Sequence, residues 1–258
     1  MKLTAEQHRQ FDDNGFLLVP DVFSLDEIIA LRDESNAIFQ HHRPEIWREK
    51  NGEPRTAFGC HEYNEVFRAL TLDSRLVEPV EQIIGEQLYI HQFKVNPKVA
   101  FEGDTFPWHQ DFVTWHEDDG MPEARAMNAA IFLDDVHASN GALMFVLGSH
   151  KEGMIYAEDV NGRRWLERKD VVRLIRSGDD IAIAEGRAGS VLLFHGDVVH
   201  GSAGNITPLP RRILYVTYSA LSNHLLRPTR PPYIAHRSFE PIVAVERAVQ
   251  HATAHHTA

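Results

Sequence analysis

The hydrophobic and polar positions follow two different periods along the chain. Up to about residue 86 the apolar residues recur at helical spacing, and polar capping residues open the segments. Thr4 and Gln7 are placed as a capping box, Ser24 and Glu27 as a second one, and Gly15 precedes the strand-like run "FLLVP". These signals predict one helix after Thr4 and a longer one from Ser24 to about residue 40.

Two further segments complete this first part. "DSRLVEPVEQIIG" predicts a helix from Asp73 to Gly85, in which Pro79 kinks the helix or limits its first turn. Residues 41–56, "HHRPEIWREKNGEPRT", are charged and follow no period, which predicts a mobile connection. We hypothesise that this connection orders as a lid over a bound substrate.

From residue 87 onward the period changes to two. Short apolar runs separated by Gly, Pro, Asn and Asp predict strands in "QLYIHQFKV", "FPWHQDF", "MNAAIFL", "ALMFVL", "GSVLLF" and "RRILYVTYS". No glycine-rich nucleotide-binding motif interrupts them. We therefore expect a mainly β fold with flanking helices, a jelly-roll or barrel core behind an N-terminal helical layer.

The chain is expected to form a single domain. Residues 1–86 are its mainly helical N-terminal part, residues 87–220 its β core and residues 221–258 a C-terminal segment. The end of that segment, "HATAHHTA", is predicted to be disordered.

Strand alternation in "LYIHQFKVN" places an apolar and a polar half on one face. Residues at alternate positions of a strand point to the same side. That side carries Leu88, Ile90, Gln92, Lys94 and Asn96, and so changes from apolar to polar along its length. The pattern predicts a barrel wall with a dry floor and a polar mouth, although a solvated sheet face would show the same sequence.

Charge and cysteine content narrow the function classes. The 258 residues carry a net charge of −11, with a sequence pI near 5.8. Because binding to phosphate groups requires clustered Lys and Arg, nucleic acid and anionic membranes are not expected partners. Cys60 is the only cysteine, which is typical of a reducing compartment. No apolar run reaches the length of a bilayer span or a signal peptide, so a cytoplasmic location is expected.

A candidate metal pair lies in the predicted strand "FPWHQDF". The chain has sixteen histidines and contains His-x-Asp three times. His109 and Asp111 lie in an apolar context, where an unpaired carboxylate is costly unless it binds a partner or a metal. On a strand, both side chains would point to one ion.

The other two His-x-Asp pairs have simpler explanations. His116 and Asp118 lie in the polar stretch "HEDDG", which indicates a solvated loop. His195 and Asp197 flank Gly196 in a predicted tight turn, where Asp commonly bonds nearby backbone.

A candidate third ligand, and a cation that could bind an acidic cosubstrate, follow later in the chain. "VVHGS" supplies His200 and Ser202, and Arg211 comes eleven residues after His200. Two histidines and one carboxylate form the iron site of non-haem oxygenases, and a bidentate Arg is the best partner for the far carboxylate of an acid cosubstrate. From the residues alone, hydrogen-bonded core polar groups or a zinc or manganese barrel remain alternatives.

Several longer stretches resemble one enzyme family. They are "GCHEYNEVFRAL", "YIHQFKVNPK", "WHQDFVTWHEDDGMP", "NGALMFVLGSH" and "HGSAGNITPLPR". In these the sequence resembles the phytanoyl-CoA dioxygenase superfamily, which are iron(II)- and 2-oxoglutarate-dependent oxygenases built on a double-stranded β-helix. The similarity covers most of the chain. Within the superfamily, bacterial L-proline trans-4-hydroxylases are the most similar group, followed by ectoine hydroxylases.

The resemblance implies a role for particular positions. It makes His109, Asp111 and His200 the ligands of Fe(II) and the catalytic centre. It implies that 2-oxoglutarate is bound by Arg211, Ser202, Asn128, Lys94 and Gln92. For the substrate we expect contacts from Trp115, Asn96 and Phe106, the two aromatic residues having a core position as the alternative.

The implied reaction is hydroxylation of a small amino acid. Free L-proline is the favoured substrate and trans-4-hydroxy-L-proline the expected product, with 2-oxoglutarate and O₂ as cosubstrates and succinate and CO₂ as coproducts. A hydroxylase for another small cyclic or zwitterionic amino acid, such as ectoine or pipecolate, is the first alternative. A non-catalytic barrel that binds a small acid or a metal is the second. The oligomeric state is left open.

Overall fold

The structure of the protein is a computed structural model that describes residues 1–155, 157–159, 164–176 and 178–254. The α-helices are α1 (Ala5–Asn14), α2 (Leu25–Phe39), α3 (Glu65–Leu72), α4 (Ser74–Ile84), α5 (Asp111–Asp119), α6 (Arg168–Leu174) and α7 (Ala248–Ala254). The strands are β1 (Phe16–Val19), β2 (Ile46–Arg48), β3 (Pro54–Phe58), β4 (Leu88–Lys98), β5 (Phe106–His109), β6 (Ala126–Phe132), β7 (Leu143–Val146), β8 (Ala157–Asp159), β9 (Arg164–Leu166), β10 (Ile181–Ala184), β11 (Val191–His195), β12 (His200–Ser202) and β13 (Arg211–Ala220).

The N-terminal helices begin where their capping residues predict. Both expected capping boxes form, at Thr4 with Gln7 and at Ser24 with Glu27. Helix α4 starts after the Asp73 cap and runs through Pro79 to Ile84. Helix α7 includes residues 251–254 of the tail predicted to be disordered, and the last residues of that tail lie outside the described part of the chain. Within that part, no helix is both long and apolar enough to cross a membrane.

Two antiparallel sheets form a double-stranded β-helix flanked by helices, as predicted. The larger sheet has the strand order β1-β11-β6-β13-β4-β3-β2, and the smaller sheet has the order β10-β7-β12-β5. Non-consecutive neighbours, such as β12 between β7 and β5, show that the chain crosses repeatedly from one sheet to the other. Strands β8 and β9 pair separately.

The larger sheet is buried on both faces. Phe93, Ile131 and Leu214 pack against the helical layer, whereas Phe132 and Phe194 face the smaller sheet, where Phe145 meets them. Every residue of β6 is therefore buried. Beside this apolar cluster, one cavity is lined by polar side chains of both sheets, among them His200 of the smaller sheet and Arg211 of the larger.

The connection from residue 41 to residue 56 is not the irregular segment that its composition predicts. It contains β2 and the start of β3, which pair with each other and extend the larger sheet beyond β4. The Trp47 ring lies edge-on to Phe58, with ring centroids 5.0 Å apart. Arg55 donates to both carboxylate oxygens of Glu49, at 3.0 and 2.8 Å. Edge-strand pairing and these contacts order the segment, a result that its charge pattern could not reveal.

A β-bulge in β4 overturns the predicted strand face. Thr217 of β13 pairs with Gln92 and the next residue, Tyr218, pairs with Ile90, so His91 is the extra residue. Leu88 and Ile90 consequently pack in the helix-facing core, together with Phe93 and Val95. Gln92, Lys94 and Asn96 instead line an internal cavity. The polar half of the face was predicted correctly, but the apolar half lies on the opposite side of the sheet.

Candidate metal and cosubstrate site

Two histidines of the smaller sheet face each other across adjacent strands. His109 ends β5 and His200 begins β12, and their Cα atoms are paired in register. Their ring centroids are 4.1 Å apart. Each Nδ1–H donates to a backbone carbonyl, His109 to Pro107 O at 2.9 Å and His200 to Val198 O at 3.0 Å. This fixes the tautomer and leaves both Nε2 lone pairs free for a metal.

Asp111 reaches the same point from a helix and not from a strand. Strand β5 ends at His109, and Asp111 is the first residue of α5, so the prediction of a continuous strand through residue 112 was wrong. The side chain of Gln110 fixes this change of direction. It donates to Gly153 O at 2.8 Å and to Asp197 O at 2.7 Å, and accepts from the Ile155 N–H at 2.8 Å.

The carboxylate of Asp111 completes a compact group. Its oxygens lie 3.6 Å from His109 Nε2 and 3.9 Å from His200 Nε2. One ligand atom from each of the three residues fits within a mutual distance of 4.8 Å. Gly196 permits the helix to come this close, because a Cβ there would lie 2.7 Å from the Trp115 ring. The donor set of two imidazoles and one carboxylate suits Fe(II) with open positions.

Asn128 holds the carboxylate in place. Its Nδ2–H donates to Asp111 Oδ2 at 2.8 Å, and its own oxygen accepts from the Thr217 hydroxyl at 2.6 Å. The sequence led us to expect Asn128 at the cosubstrate. In the structure the Asn128 amide donates to the Asp111 carboxylate instead, so Asn128 supports a candidate metal ligand.

Burial and nearby charge set the protonation of Asp111 and His200. Burial alone would raise the pKa of Asp111, but the Lys94 ammonium and the two neighbouring histidines hold it well below its ordinary value. Burial, together with repulsion from His109, lowers the pKa of His200 to about 3. The group therefore presents a carboxylate and a neutral imidazole, which are the forms that bind metal.

Arg211 is a buried cation with no acidic partner among the residues the structure describes. It begins β13 and is 2% exposed. Its Nε and Nη2 donate to Gly141 O at 3.1 and 2.8 Å, Nη1 contacts Asn96 O at 3.4 Å, and the Tyr215 side chain also interacts with the guanidinium. Arg211, Ser202 and Tyr215 line one cavity with the three candidate ligands. A guanidinium desolvated in this way is a receptor for a carboxylate.

A second cavity adjoins the first at the candidate ligands His109 and Asp111. The two cavities have volumes of about 100 and 170 Å³, and the residues that line both are Arg55, Thr56, Lys94, Asn96, Phe106, His109 and Asp111. The walls of the second also include Trp47, Phe58, Gln92, Arg164, Trp165 and Arg230. Its three arginines are already paired, Arg55 with Glu49, Arg164 with Asp118 and Arg230 with both oxygens of Asp119.

The predicted substrate residues occupy different depths around this second cavity. The Phe106 ring lies 4.9 Å from His109 and 5.2 Å from Trp165, between ring centroids. Asn96 Oδ1 is buried with no hydrogen-bond partner in the described part of the chain. Trp115, in contrast, is 1% exposed and packs in a core cluster with Phe112, so it reaches the cavity only at its edge.

Gln92 also contacts protein, because its amide donates to Ile234 O at 3.0 Å. Trp47, Arg55, Trp165, Arg230 and Tyr215 were not predicted from the sequence. Trp47 and Arg55 belong to the segment that we expected to be a mobile lid, and Trp165 lies in a stretch for which no element was predicted.

Among the described residues, neither of the other two His-x-Asp pairs belongs to a group that could hold a metal ion. His116 and Asp118 lie in the last turn of α5, so the prediction of a loop there was wrong. Asp118 pairs with Arg164 at 3.0 Å. The Asp197 N–H donates to His195 Nδ1 at 3.0 Å, which is a local hydrogen bond across the turn at Gly196.

Comparison with known proteins identifies the family. Residues 11–213 match the sequence profile of phytanoyl-CoA dioxygenase (PhyH). The chain belongs to this family. It is 34% identical over 252 residues to an L-proline trans-4-hydroxylase of Streptomyces griseoviridis, covering 92% of this chain and 94% of that protein. It is 31% identical over 265 residues to an ectoine dioxygenase of Sphingopyxis alaskensis, covering 95% and 87%.

Solved structures agree. The crystal structure of EctD from S. alaskensis with 2-oxoglutarate and 5-hydroxyectoine superposes with a TM-score of 0.84 at 32% identity, covering 95% of this chain and 87% of that one. The carbocyclase SnoK from nogalamycin biosynthesis superposes with a TM-score of 0.73 at 19% identity over 94% and 97%, which shows the shared fold. The family member described here is thus a 2-oxoglutarate-dependent dioxygenase that uses iron.

Proposed function

We propose that this dioxygenase hydroxylates free L-proline to trans-4-hydroxy-L-proline. In the balanced reaction, one O₂ is divided between the new hydroxyl group and succinate, while 2-oxoglutarate loses CO₂. The proposal is supported by the similarity to an L-proline trans-4-hydroxylase along almost its whole length. Ectoine dioxygenases have nearly the same identity, between 31% and 34%, so the substrate must be decided by experiment.

The observation that carries the catalytic assignment is one cavity lined by two histidines with fixed tautomers and by Arg211, a buried arginine without an acidic partner among the described residues. We assign Fe(II) to Nε2 of His109, Nε2 of His200 and the Asp111 carboxylate. When bound, the iron supplies the oxidative chemistry. Arg211 takes the far carboxylate of 2-oxoglutarate through its Nη1 side, with Ser202 beside it.

The remaining polar residues adjust charge and orientation. Lys94 places a cation beside Asp111 and lines both cavities, so it balances the negative charge that the cosubstrate brings. Asn128 keeps the carboxylate of Asp111 turned toward the two histidines. Gln92 holds the wall formed by Ile234.

The second cavity, of about 170 Å³, offers apolar and polar groups that suit a small cyclic amino acid. Phe106, Trp47 and Trp165 offer apolar surfaces for a ring of methylenes. The buried Asn96 Oδ1 can accept a hydrogen bond from the secondary ammonium of proline, which would give this oxygen the partner that it lacks within the described residues. These contacts would exclude water and position one carbon next to the iron.

A substrate panel tests the proposal. The enzyme would be reconstituted anaerobically with Fe(II) and 2-oxoglutarate, then given air with L-proline, L-pipecolate or ectoine. We expect L-proline to gain one oxygen by mass spectrometry, with one succinate formed per product, and NMR to place the hydroxyl trans at C4. Preferred turnover of ectoine or L-pipecolate would replace proline by that substrate. No substrate-dependent succinate with any of the three would contradict the whole assignment.

We also propose that the enzyme acts in the cytoplasm. A single cysteine, Cys60, which is buried, supports a reducing compartment.

A further inference from the structure

A second cluster of two histidines and one carboxylate lies outside the catalytic cavities. His61 and Glu62 belong to a 3₁₀ turn, Cys60–Glu62, and His236 comes from the C-terminal segment. The His61 and His236 rings lie edge-to-face, with centroids 5.1 Å apart. His236 Nδ1 lies 2.9 Å from Glu62 Oε1. One donor atom from each of the three residues lies within 4.8 Å of the others.

His61 is the unexplained member of this cluster. It is 6% exposed, and neither of its ring nitrogens has a hydrogen-bond partner anywhere in the described chain. Its ring is stacked on Phe93, with centroids 5.2 Å apart. Burial lowers its pKa to about 3, so the imidazole is neutral and keeps a lone pair. A buried polar ring without partners is costly, which indicates that a ligand supplies the missing interaction.

The backbone holds both halves of the cluster before any ligand binds. The Gly59 N–H donates to Phe93 O at 2.9 Å, and the His236 N–H donates to His91 O at 2.8 Å, so both segments are fixed to the same strand, β4. At Gly59, φ is +63° and a Cβ would lie 3.0 Å from Tyr233 O, so the two segments approach as closely as glycine allows. The donors are therefore brought together by the fold and not by a flexible surface.

We propose that His61, Glu62 and His236 form a second metal site, separate from the catalytic cluster, for a borderline divalent cation such as Zn²⁺. Two imidazoles and a carboxylate match the ligand preferences of zinc, whereas Mg²⁺ and Ca²⁺ prefer oxygen alone. The Glu62 side chain is 46% exposed and that of His236 19% exposed, so an ion can enter from solvent and keep a water ligand.

The position of the site gives it a consequence for the catalytic cavity. Phe58 lies just before the 3₁₀ turn and Ile234 lies two residues before His236, and both line the second cavity. An ion held by residues of both segments would tie these two pieces of the cavity wall together. The site would thus act as a clip between the N-terminal part and the C-terminal segment.

Zinc binding by the full-length chain, produced without a histidine tag, tests the proposal. After excess Zn²⁺ is removed by gel filtration, we expect elemental analysis to find about two equivalents in the wild type, one at each cluster. His236→Gln and His61→Gln should retain about one equivalent. Glu62→Gln, an exposed position where the substitution does not threaten folding, should weaken the second equivalent at least about tenfold in a competition titration.

Two control variants separate this site from other zinc ligands. His109→Gln/His200→Gln removes the catalytic cluster and should keep the equivalent bound by His61 and His236, with X-ray absorption showing imidazole and carboxylate ligands. His255→Gln/His256→Gln checks the histidine-rich tail and should leave both equivalents in place. A wild type that binds only one equivalent, or a second equivalent that is unaffected by both Glu62→Gln and His236→Gln, would overturn the proposal. Because the measurement is metal content, it stands whatever the substrate is.

Discussion

The catalytic cluster and the second histidine cluster contain the same donors in different surroundings. In the first, both Nδ1 atoms donate to backbone carbonyls, and Asn128 holds the carboxylate. In the second, the carboxylate of Glu62 bonds directly to His236, and His61 has no partner in the described chain. Catalysis requires ligands whose orientation is fixed before the metal arrives, whereas at the second cluster the backbone fixes the positions and an ion can still turn the side chains toward itself.

The two clusters also differ in the elements that carry them. His109 and His200 lie on paired strands inside the barrel, and Asp111 starts a helix packed against it. His61 and His236 lie on a short turn and an irregular segment that are each hydrogen-bonded to β4. The comparison therefore predicts that substitutions in the first cluster abolish hydroxylation. Substitutions in the second should change the zinc content and the connection between the two segments that carry it.

The largest effect is expected at His200. His200→Gln should lower succinate-coupled hydroxylation by more than about 10³-fold, because the iron loses a ligand. His61→Gln should lower zinc content and still turn over substrate at a measurable rate. Steady-state kinetics and elemental analysis of both variants make the comparison. Equal loss of activity in the two would show that the clusters are not functionally separate.

Arg211 tests whether the first cluster belongs to a cosubstrate site. Arg211→Lys should raise the KM for 2-oxoglutarate about 30-fold, which corresponds to a loss of about 2 kcal/mol from a charge-assisted bidentate contact. The neighbouring Arg212 is a matched control, because it pairs with Asp134 at 2.8 Å and does not line the cavity. Arg212→Lys should leave this KM unchanged. A larger effect in the Arg212 variant would contradict the assignment.

Asn128 tests the importance of fixed orientation. Asn128→Ala should lower kcat and the affinity for iron by about 10-fold, because the Asp111 carboxylate loses its anchor. Thr217→Val, which removes only the hydroxyl behind Asn128, should cause a smaller loss in the same direction. If Asn128→Ala instead changed only the KM for 2-oxoglutarate, Asn128 would be a direct cosubstrate contact, as the family resemblance had implied.

The smallest effect is expected at Asp197, which lies beside the first cluster. Its backbone carbonyl accepts a hydrogen bond from Gln110, the residue between His109 and Asp111. Burial raises the pKa of Asp197 from 3.8 to about 6. Between these values the unfolded chain releases the proton while the folded chain keeps it, so the stability contribution falls as pH rises from about 4 to 6. Asp197→Asn should remove this slope and add about 1.5 kcal/mol of stability at pH 7. Denaturant unfolding at pH 4 and pH 7 measures it, and an equal change at both values would exclude titration as the cause.

The sequence identified residues that come together, but not the way in which the backbone brings them together. His109, Asp111 and His200 could be selected because few polar residues lie in apolar runs and because they match a family pattern. The alternation of "FPWHQDF" gives no sign that the strand ends at His109. That turn depends on the bonds of Gln110 to backbone more than forty residues away.

The other residues that line the second cavity could not be predicted from the sequence, for a related reason. Trp47 and Trp165 come from segments whose own sequence predicts no regular element, and only the assembled sheets place them opposite the candidate ligands. The two capping boxes and the main β segments were readable, because they depend on residues close together in the chain. Contacts that depend on how distant strands pair could not be predicted in this way.

The extra residue at His91 changes the face on which the following residues of β4 lie, so simple alternation cannot align this strand with other sequences. Deletion of His91 would leave Ile90 opposite Tyr218 and Gln92 opposite Thr217, and would make the strand regular. If a relative without the bulge were aligned with its gap placed after residue 96, Phe93 and Val95 would be exchanged with Lys94 and Asn96 between the helix-facing core and the cavity. The one-residue gap therefore belongs at His91.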